Sequence, residues 1–213
     1  MVCTRDGSLL LVRDTAGLAA WHVHPADSFR VKWYRADPTL SSFVLDPTER
    51  TVLCGRLVSR HTELVELDAA TGEMRRVIAT SPASMLIDMA LSHHGRLLAA
   101  VEDSGRAILF ERQAVTDEWR ARSMAGLGVR NTRVACFSPR ADQLITSDSK
   151  KRCFVAWNLQ KDLSPREFGF HDSEILGCAF LNDDRLLSWG LGDTIRIWDV
   201  NDGTLDQCLS VGR

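Results

Sequence analysis

The 213-residue sequence predicts an all-β fold made of five repeated four-stranded units. Three observations lead to this prediction: short apolar runs separated by turn residues, an apolar marker that recurs before each first turn, and a large apolar marker that recurs near the end of each third run. Short runs rich in β-branched and aromatic residues, bounded by Asn, Asp and Gly, are typical of strands joined by hairpins. Apolar residues make up 45% and charged residues 25% of the chain, which is ordinary usage for a globular protein.

The last unit shows this layout most clearly. Its apolar runs cover residues 175–180, 185–189, 193–199 and 205–211. Asn, Asp and Gly lie in the turns between the runs, where their conformational freedom suits a change of chain direction. We therefore predict four strands joined by hairpins in this unit.

Two markers extend the same layout over the rest of the chain. The apolar residue that opens the first turn recurs at intervals of 42, 46, 46 and 43 residues, as Cys3, Leu45, Leu91, Phe137 and Phe180. The large apolar residue that closes the third strand recurs at intervals of 46, 43, 47 and 41 residues, as Trp21, Leu67, Phe110, Trp157 and Trp198. A period of about 40–45 residues is expected for four-stranded propeller blades. The sequence therefore predicts a β-propeller.

Both markers together divide the chain into five blades with no linker between them. The blades cover residues 1–36, 37–82, 83–124, 125–168 and 169–213, so residues 1–213 form a single propeller region. The first blade has only Met1 and Val2 before its first turn, so most of its first strand is missing. We therefore expect an incomplete ring: a fragment, or an alternative product, of a longer protein whose complete propeller has about seven blades and which can carry further domains.

The five units resemble the WD-repeat family, and the fifth unit resembles it most. In that family a hydrogen-bonded set of Asp, His, Ser or Thr, and Trp ties the strands of a blade together. The resemblance assigns this structural role to His171, Ser188, Trp198 and Asp199. The family pattern places a turn aspartate six residues before the tryptophan, where this chain has Gly192, and Asp193 lies one place late. We therefore expect the set to be incomplete.

A catalytic role for His171 and Ser188 is the competing hypothesis. A nucleophilic serine needs a positioned histidine, which is itself oriented by a carboxylate. The sequence contains no GxSxG motif, and membership of the blade's hydrogen-bond set accounts for both residues at once. We predict no catalytic residue, no enzymatic activity and, because no glycine-rich stretch fits a phosphate-binding motif, no cofactor.

Metal binding is not favoured by the histidines or the cysteines. His22 and His24 lack a neighbouring ligand that would complete a four-ligand site, and His93 and His94 occupy a predicted turn. The six cysteines form no CxxC pair, so we interpret them as reduced, partly buried thiols.

A rim of loop residues is the candidate partner-binding site. Lys150, Lys151 and Arg152 form a basic run in the loop between the second and third strands of the fourth blade. In WD-repeat proteins such loops open on the narrower face of the ring, which often binds partners. The predicted rim consists of Arg60, His61, Lys150, Lys151, Arg152 and Leu191.

Four aromatic residues are ambiguous between core packing and exposed anchors for a partner. They are Trp33, Tyr34, Trp119 and Trp189. Strand alternation places Trp189 on the face opposite Ser188. We predict core packing for each of the four.

Charge and hydropathy restrict the class of partner. The net charge of -2 gives no long-range attraction to nucleic acid or to an anionic membrane, so binding to nucleic acid is not expected. The sequence has neither the pattern of a secretory signal nor a run of about 18 apolar residues. We expect an intracellular protein, in the cytoplasm or the nucleus, that acts as a rigid scaffold for protein or peptide partners. The alternative is a sensor or regulatory propeller within a larger multidomain protein, such as a nucleotide-driven one.

Overall fold

A computed structural model describes the chain except for residues 25–27, 83–84, 115–116, 123–131, 161–164, 193 and 211–213. Asp193 and the last residue of the predicted run 205–211 therefore lie outside the described residues, and the side chain of His24 does so too. The described residues form twenty strands, arranged as five four-stranded sheets, and contain no helix. None of them belongs to a helix that could cross a membrane. The chain is all-β, a β-propeller of five four-stranded antiparallel blades, as the sequence predicts.

The first compact unit, Met1–Leu86, contains the first two sheets. The first sheet consists of β1 (Val2–Cys3), β2 (Leu9–Arg13), β3 (Gly17–His24) and β4 (Ser28–Ala36). The second consists of β5 (Leu40–Leu45), β6 (Thr51–Val58), β7 (His61–Asp68) and β8 (Met74–Pro82). In both sheets the strands pair in chain order, so every connection within a sheet is a hairpin. Buried side chains from the two sheets, including Leu11 and Val65, pack together as one apolar cluster.

The second compact unit, Ile87–Arg213, contains the other three sheets apart from the first residue of β9. The third sheet consists of β9 (Leu86–Leu91), β10 (Leu97–Glu102), β11 (Ala107–Arg112) and β12 (Trp119–Arg122). The fourth consists of β13 (Ala135–Phe137), β14 (Gln143–Asp148), β15 (Cys153–Asn158) and β16 (Pro165–Phe168). The fifth consists of β17 (Ile175–Phe180), β18 (Arg185–Gly190), β19 (Thr194–Asp199) and β20 (Leu205–Ser210). One apolar cluster lies between the third and fourth sheets, and another lies between the fourth and fifth.

The first sequence marker is the last residue of the first strand in all five sheets. In three of the sheets the next residue is a buried Thr or Ser whose hydroxyl oxygen closes the turn. It accepts a hydrogen bond from the backbone N–H five residues later: Thr4 from Leu9 (3.0 Å), Ser92 from Leu97 (2.9 Å) and Ser138 from Gln143 (3.0 Å). A side chain that satisfies a turn amide locally makes the turn reproducible. This hydrogen bond fixes the first turn directly after the marker in these three sheets.

Strand alternation separates a buried face from an open face in the fifth sheet. Leu186 and Ser188 on β18 are fully buried, whereas Trp189 between them and the strand end is 40% exposed. The indole ring covers Gly177 on β17, where an added Cβ would lie 2.0 Å from the ring carbon Cζ2. One side of the Trp189 ring thus packs where a side chain at position 177 would lie, and the other side faces solvent.

The prediction of core packing is correct for one of the four ambiguous aromatic residues and partly correct for another. Trp119 is buried. Trp33 is half-buried, and its indole N–H donates to the carbonyl oxygen of Ala69 at 3.0 Å. The prediction is wrong for Tyr34, which is 50% exposed, and for Trp189. Alternation identifies the face of the sheet on which a side chain lies, but only a packed neighbour can cover that face.

Candidate functional site

The fifth sheet contains a buried hydrogen-bonded set formed by His171, Ser188 and Trp198. The His171 ring nitrogen Nε2 lies 2.8 Å from the Ser188 hydroxyl oxygen, and the Trp198 indole N–H donates to that same oxygen, also at 2.8 Å. A hydroxyl has one proton and two lone pairs, so Ser188 can accept from Trp198 while it donates to a neutral His171. The set ties the segment before β17 to β18 and β19, which is the role that the resemblance implies for these three residues.

Burial keeps His171 neutral. Removal from water, and to a smaller extent the positive charge of Arg196, lower the pKa of His171 from 6.5 to about 4, against a smaller opposite effect of Asp172. The imidazole also meets the Trp198 ring at a centroid distance of 5.7 Å and the Phe154 ring at 5.9 Å. The His171 imidazole is therefore held both by its hydrogen bond to Ser188 and by contacts with two aromatic rings.

Asp199 lies outside this set, contrary to the role that the resemblance implies for it. Its carboxylate accepts the backbone N–H of Asn201 at 2.7 Å, and its carbonyl oxygen accepts the N–H of Gly203 at 2.9 Å. Both bonds close the turn between β19 and β20. The physical reason is alternation: residues 198 and 199 point to opposite faces of the sheet, so Asp199 cannot share the buried face of Trp198.

The same geometry argues against His171 and Ser188 as a hydrolytic pair. Ser188 is fully buried and His171 is 6% exposed. A nucleophile must reach its substrate, whereas the Ser188 oxygen is held between an imidazole and an indole. The arrangement supports the structural role.

The fourth sheet contains a related pair that was not predicted from the sequence. The Trp157 indole N–H donates to the Thr146 hydroxyl oxygen at 2.9 Å, and both side chains are buried. In the fourth sheet Thr146 pairs with Val155, and in the fifth Ser188 pairs with Arg196. In both sheets, therefore, the tryptophan lies two residues beyond the strand partner of the hydroxyl. The hydrogen-bonded pair is recognised from this strand register. It is not recognised from sequence spacing, because the separation between the hydroxyl residue and the tryptophan differs by one residue between the two sheets.

The second and third sheets fill the equivalent positions with apolar residues. The partner of Val65, two residues before the marker Leu67, is Cys54, and the partner of Ile108, two residues before Phe110, is Ala100. Because Cys54 and Ala100 are fully buried, apolar packing replaces the hydrogen bond in these sheets.

Replacing Ser188 by alanine is expected to lower the free energy of unfolding by about 2–4 kcal/mol, because it leaves the Trp198 N–H and the His171 Nε2 unpaired in a buried place. Urea denaturation followed by far-UV circular dichroism measures the change. Ser210→Ala on the exposed strand β20 of the same sheet is the matched control, with an expected effect within about 0.5 kcal/mol. Equal effects of the two substitutions would show that the hydrogen-bonded set does not stabilise the sheet.

Four of the predicted rim residues lie at one end of the second unit. Lys150, Lys151 and Arg152 lie in and next to the turn between β14 and β15, and Leu191 follows β18. The segment 169–174 runs beside them, since β16 ends next to the start of β15 and β17 begins opposite Gly190. We call this surface, made of residues 149–152, 169–174 and 190–192, the loop end.

Hydrogen bonds hold the loop end in place. The Leu191 N–H donates to the carbonyl oxygen of Glu174 at 2.9 Å, and the Gly192 N–H donates to the Ser173 hydroxyl, also at 2.9 Å. Arg196 on β19 is buried and donates to the carbonyl oxygen of Phe170 at 2.7 Å. The surface is thus supported by the backbone and by one buried arginine.

The basic side chains of the loop end differ in what they contact. The Lys151 ammonium pairs with the Glu167 carboxylate on β16, an interaction that raises the pKa of Lys151. The Arg152 guanidinium donates to the carbonyl oxygen of Asp172, which attaches the turn to segment 169–174. Lys150 is exposed, and within the described part of the chain its side chain is in no ion pair. Of the three, Lys150 is the side chain most available to a partner.

Two exposed apolar side chains accompany these charges. Leu191 is 65% exposed and Phe170 is 58% exposed. Leu191 belongs to the predicted rim, whereas the exposure of Phe170, which directly precedes His171, was not predicted.

The other two predicted rim residues belong to the first unit. Arg60 is exposed in the turn between β6 and β7, and His61 begins β7 with its Nε2 atom 3.5 Å from a carboxylate oxygen of Glu63. Glu63 also accepts from Arg56, and these contacts lower the pKa of Glu63. His61 is thus a neighbour of an existing ion pair.

Among the other described histidines, His94 makes contacts within its turn. The His94 ring nitrogen Nδ1 lies 3.1 Å from the Ser92 hydroxyl and accepts the Arg96 N–H at 3.2 Å. His22 is exposed on β3. Among the described residues, no group of three or more His, Cys, Asp or Glu side chains could hold a metal ion.

Comparison with known proteins supports the fold and gives no family. No family model matches the sequence, and no curated protein matches it. Among solved structures 1545 chains match, so the fold is widely shared. The structure of a protein named U3-55K is similar, with a TM-score of 0.63 at 17% sequence identity over 81% of this chain. This chain spans about half of that one, with 52% covered, and at this identity the likeness shows the fold alone.

Proposed function

We propose that this chain is a WD-repeat propeller that acts as a non-enzymatic scaffold, binding a protein or peptide through the loop end of its second unit. The family assignment is supported by the repeat period and by the bonds among His171, Ser188 and Trp198 in the fifth blade. The scaffold role is supported by the buried, mutually bonded state of the residues that could otherwise have been catalytic.

One observation carries the location of the binding surface: Phe170 and Leu191 project apolar side chains into solvent from backbone that is held by hydrogen bonds. Interface energy concentrates in a few apolar or aromatic anchors surrounded by polar groups. A surface that is already ordered loses little conformational freedom on binding, so a few such anchors are sufficient. The loop end meets both conditions.

The charges at the loop end suggest the chemistry of the partner. Lys150 belongs to the loop end, as Phe170 and Leu191 do; it is exposed, and within the described part of the chain its side chain is in no ion pair. A segment that combines an apolar side chain with a nearby carboxylate would complement both features. We therefore propose an acidic, apolar peptide segment as the ligand class.

A matched pair of substitutions tests the surface. Leu191→Asp changes the loop end. Leu181→Asp is the control, because Leu181 is also an exposed leucine but lies in the turn at the opposite end of the fifth sheet. We expect partners captured by the intact chain to be retained by Leu181→Asp and to bind Leu191→Asp at least about tenfold more weakly, since the loss of an anchor costs over 1 kcal/mol. Quantitative affinity capture of the same partners by all three chains is the measurement.

A charge reversal tests the ligand class separately. Changing Lys150, Lys151 and Arg152 together to Glu should weaken the same partners and make the remaining binding less sensitive to salt. Circular dichroism of each variant checks that the sheets are intact. If the partners bind Leu191→Asp and the charge-reversed chain with the same affinity as the parent chain, the loop end is excluded as the binding surface.

A further inference from the structure

Two cysteine thiols from neighbouring blades meet in the second unit. The Sγ atoms of Cys136 on β13 and Cys178 on β17 lie 3.1 Å apart, although the residues are 42 positions apart in the sequence. Both side chains are half-buried at the apolar cluster between the fourth and fifth sheets. The distance between the sulfur atoms exceeds the length of a disulfide bond by only about 1 Å.

The first strands of the two blades bring these thiols together. Cys136 and Cys178 each point from a first strand toward the neighbouring sheet, because both contact the cluster that the two sheets share. Residues adjacent to Cys136 are held in place: the Ala135 N–H donates to the Asp88 carboxylate on β9 at 2.9 Å. The approach of the thiols thus follows from the packing of the blades and involves no loop.

The other four cysteines are placed differently. Cys54 and Cys153 are buried, and Cys3 and Cys208 are exposed. Within the described part of the chain none of these four has another sulfur atom as a partner. The pair is therefore a specific feature of the contact between the fourth and fifth blades.

We propose that Cys136 and Cys178 are a modification site: a peroxide oxidises them to a disulfide that links the fourth and fifth blades, and a thiol reductant reverses the reaction. One thiol reacts first: its sulfur takes one oxygen atom from the peroxide and becomes a sulfenic acid. When hydrogen peroxide is the oxidant, the other oxygen atom leaves as water. The second thiol then attacks that sulfur, the S–S bond forms, and the hydroxyl group leaves with the second thiol proton as water. The two sulfur atoms lose two electrons, which reduce the O–O bond of the peroxide.

The surroundings of Cys136 disfavour its reactive thiolate form. Its contact with Cys178 and its burial raise the pKa of the Cys136 thiol well above the ordinary value, and the negative charge of Asp88 adds to this effect. Because a thiolate reacts faster than a thiol, we expect oxidation to accelerate as the pH rises.

Hydrogen peroxide provides the test, on the full chain with Cys3→Ser and Cys208→Ser, which removes the exposed thiols that could join two molecules. After oxidation, the protein is denatured, its remaining thiols are alkylated, and its peptides are mapped by mass spectrometry. We expect one linked pair of peptides containing Cys136 and Cys178, with Cys54 and Cys153 alkylated. The midpoint of thermal unfolding should rise by about 5–15 °C and return after treatment with dithiothreitol.

A variant without the second thiol distinguishes a specific link from general oxidation. Cys178→Ser in the same background should give neither the linked peptides nor the rise in midpoint, and Cys178→Ala serves if the serine variant does not fold. The mapping of the parent protein is decisive without either variant. Recovery of Cys136 and Cys178 in unlinked form after peroxide treatment of the folded chain would overturn the proposal.

Discussion

Replacing Trp198 by alanine is expected to lower the free energy of unfolding by about 3–5 kcal/mol. The side chain is 5% exposed, packs in the apolar cluster between the fourth and fifth sheets, and donates its indole N–H to Ser188. The substitution therefore creates a cavity and leaves a buried hydroxyl with one partner fewer. Urea denaturation followed by far-UV circular dichroism gives the change in free energy without depending on tryptophan fluorescence.

Trp189→Ala is the matched control for this experiment. The two tryptophans belong to the same sheet, but Trp189 is 40% exposed, and one side of its ring covers Gly177. We expect a loss below about 2 kcal/mol for Trp189→Ala, because less apolar surface is buried. A loss for Trp189→Ala as large as that for Trp198→Ala would mean that the face bearing Trp189 is covered.

Acidification is expected to destabilise the protein through His171 by up to about 3 kcal/mol. The pKa of His171 is about 4 in the folded protein and 6.5 without burial, so the unfolded chain binds more protons between these two values. Stability due to the neutral imidazole is therefore complete above pH 6.5, falls as the pH decreases, and is fully lost near pH 4. His171→Gln removes this titration, so the difference in unfolding free energy between pH 7 and pH 4.5 should be about 2–3 kcal/mol smaller in the variant.

Asp88 changes the unfolding free energy in the opposite direction to His171 over an overlapping range of pH, so its substitution serves as a control. Burial raises the pKa of Asp88 to about 6, so the folded state binds the extra proton as the pH falls from 6 toward 3.8. This titration offsets part of the loss due to His171, and Asp88→Asn should make the fall in stability with acid steeper. Unfolding curves at several pH values compare the three chains. An identical pH dependence for the parent and His171→Gln would show that His171 is not held neutral by the fold.

Part of the candidate site could be predicted from the sequence. His171, Ser188 and Trp198 follow a known pattern of residue types, and the structure brings them together around one hydroxyl oxygen. Thr146 and Trp157 make a similar bond without the histidine, and only the strand register reveals it. Pattern recognition depends on constant spacing, whereas a hydrogen bond depends on which residues face each other across two strands.

The exposed residues were harder to predict than the buried ones. Leu191 was identified because its loop corresponds to others in the repeat, but Phe170 and the open position of Trp189 were not. Alternation along a strand specifies two faces, and it does not specify which face a neighbouring element covers.

The sequence by itself determined the repeat: the number of four-stranded blades, the position of each first turn and the strand that bears each large apolar marker. These features are local, because a turn and an alternating strand depend on residues within a few positions of each other. Only the tertiary structure decided which faces remain open, which side chains form the loop end, and that Cys136 and Cys178 meet across two blades. Those features depend on contacts between sheets, which join residues about forty positions apart and leave no periodic signal in the chain.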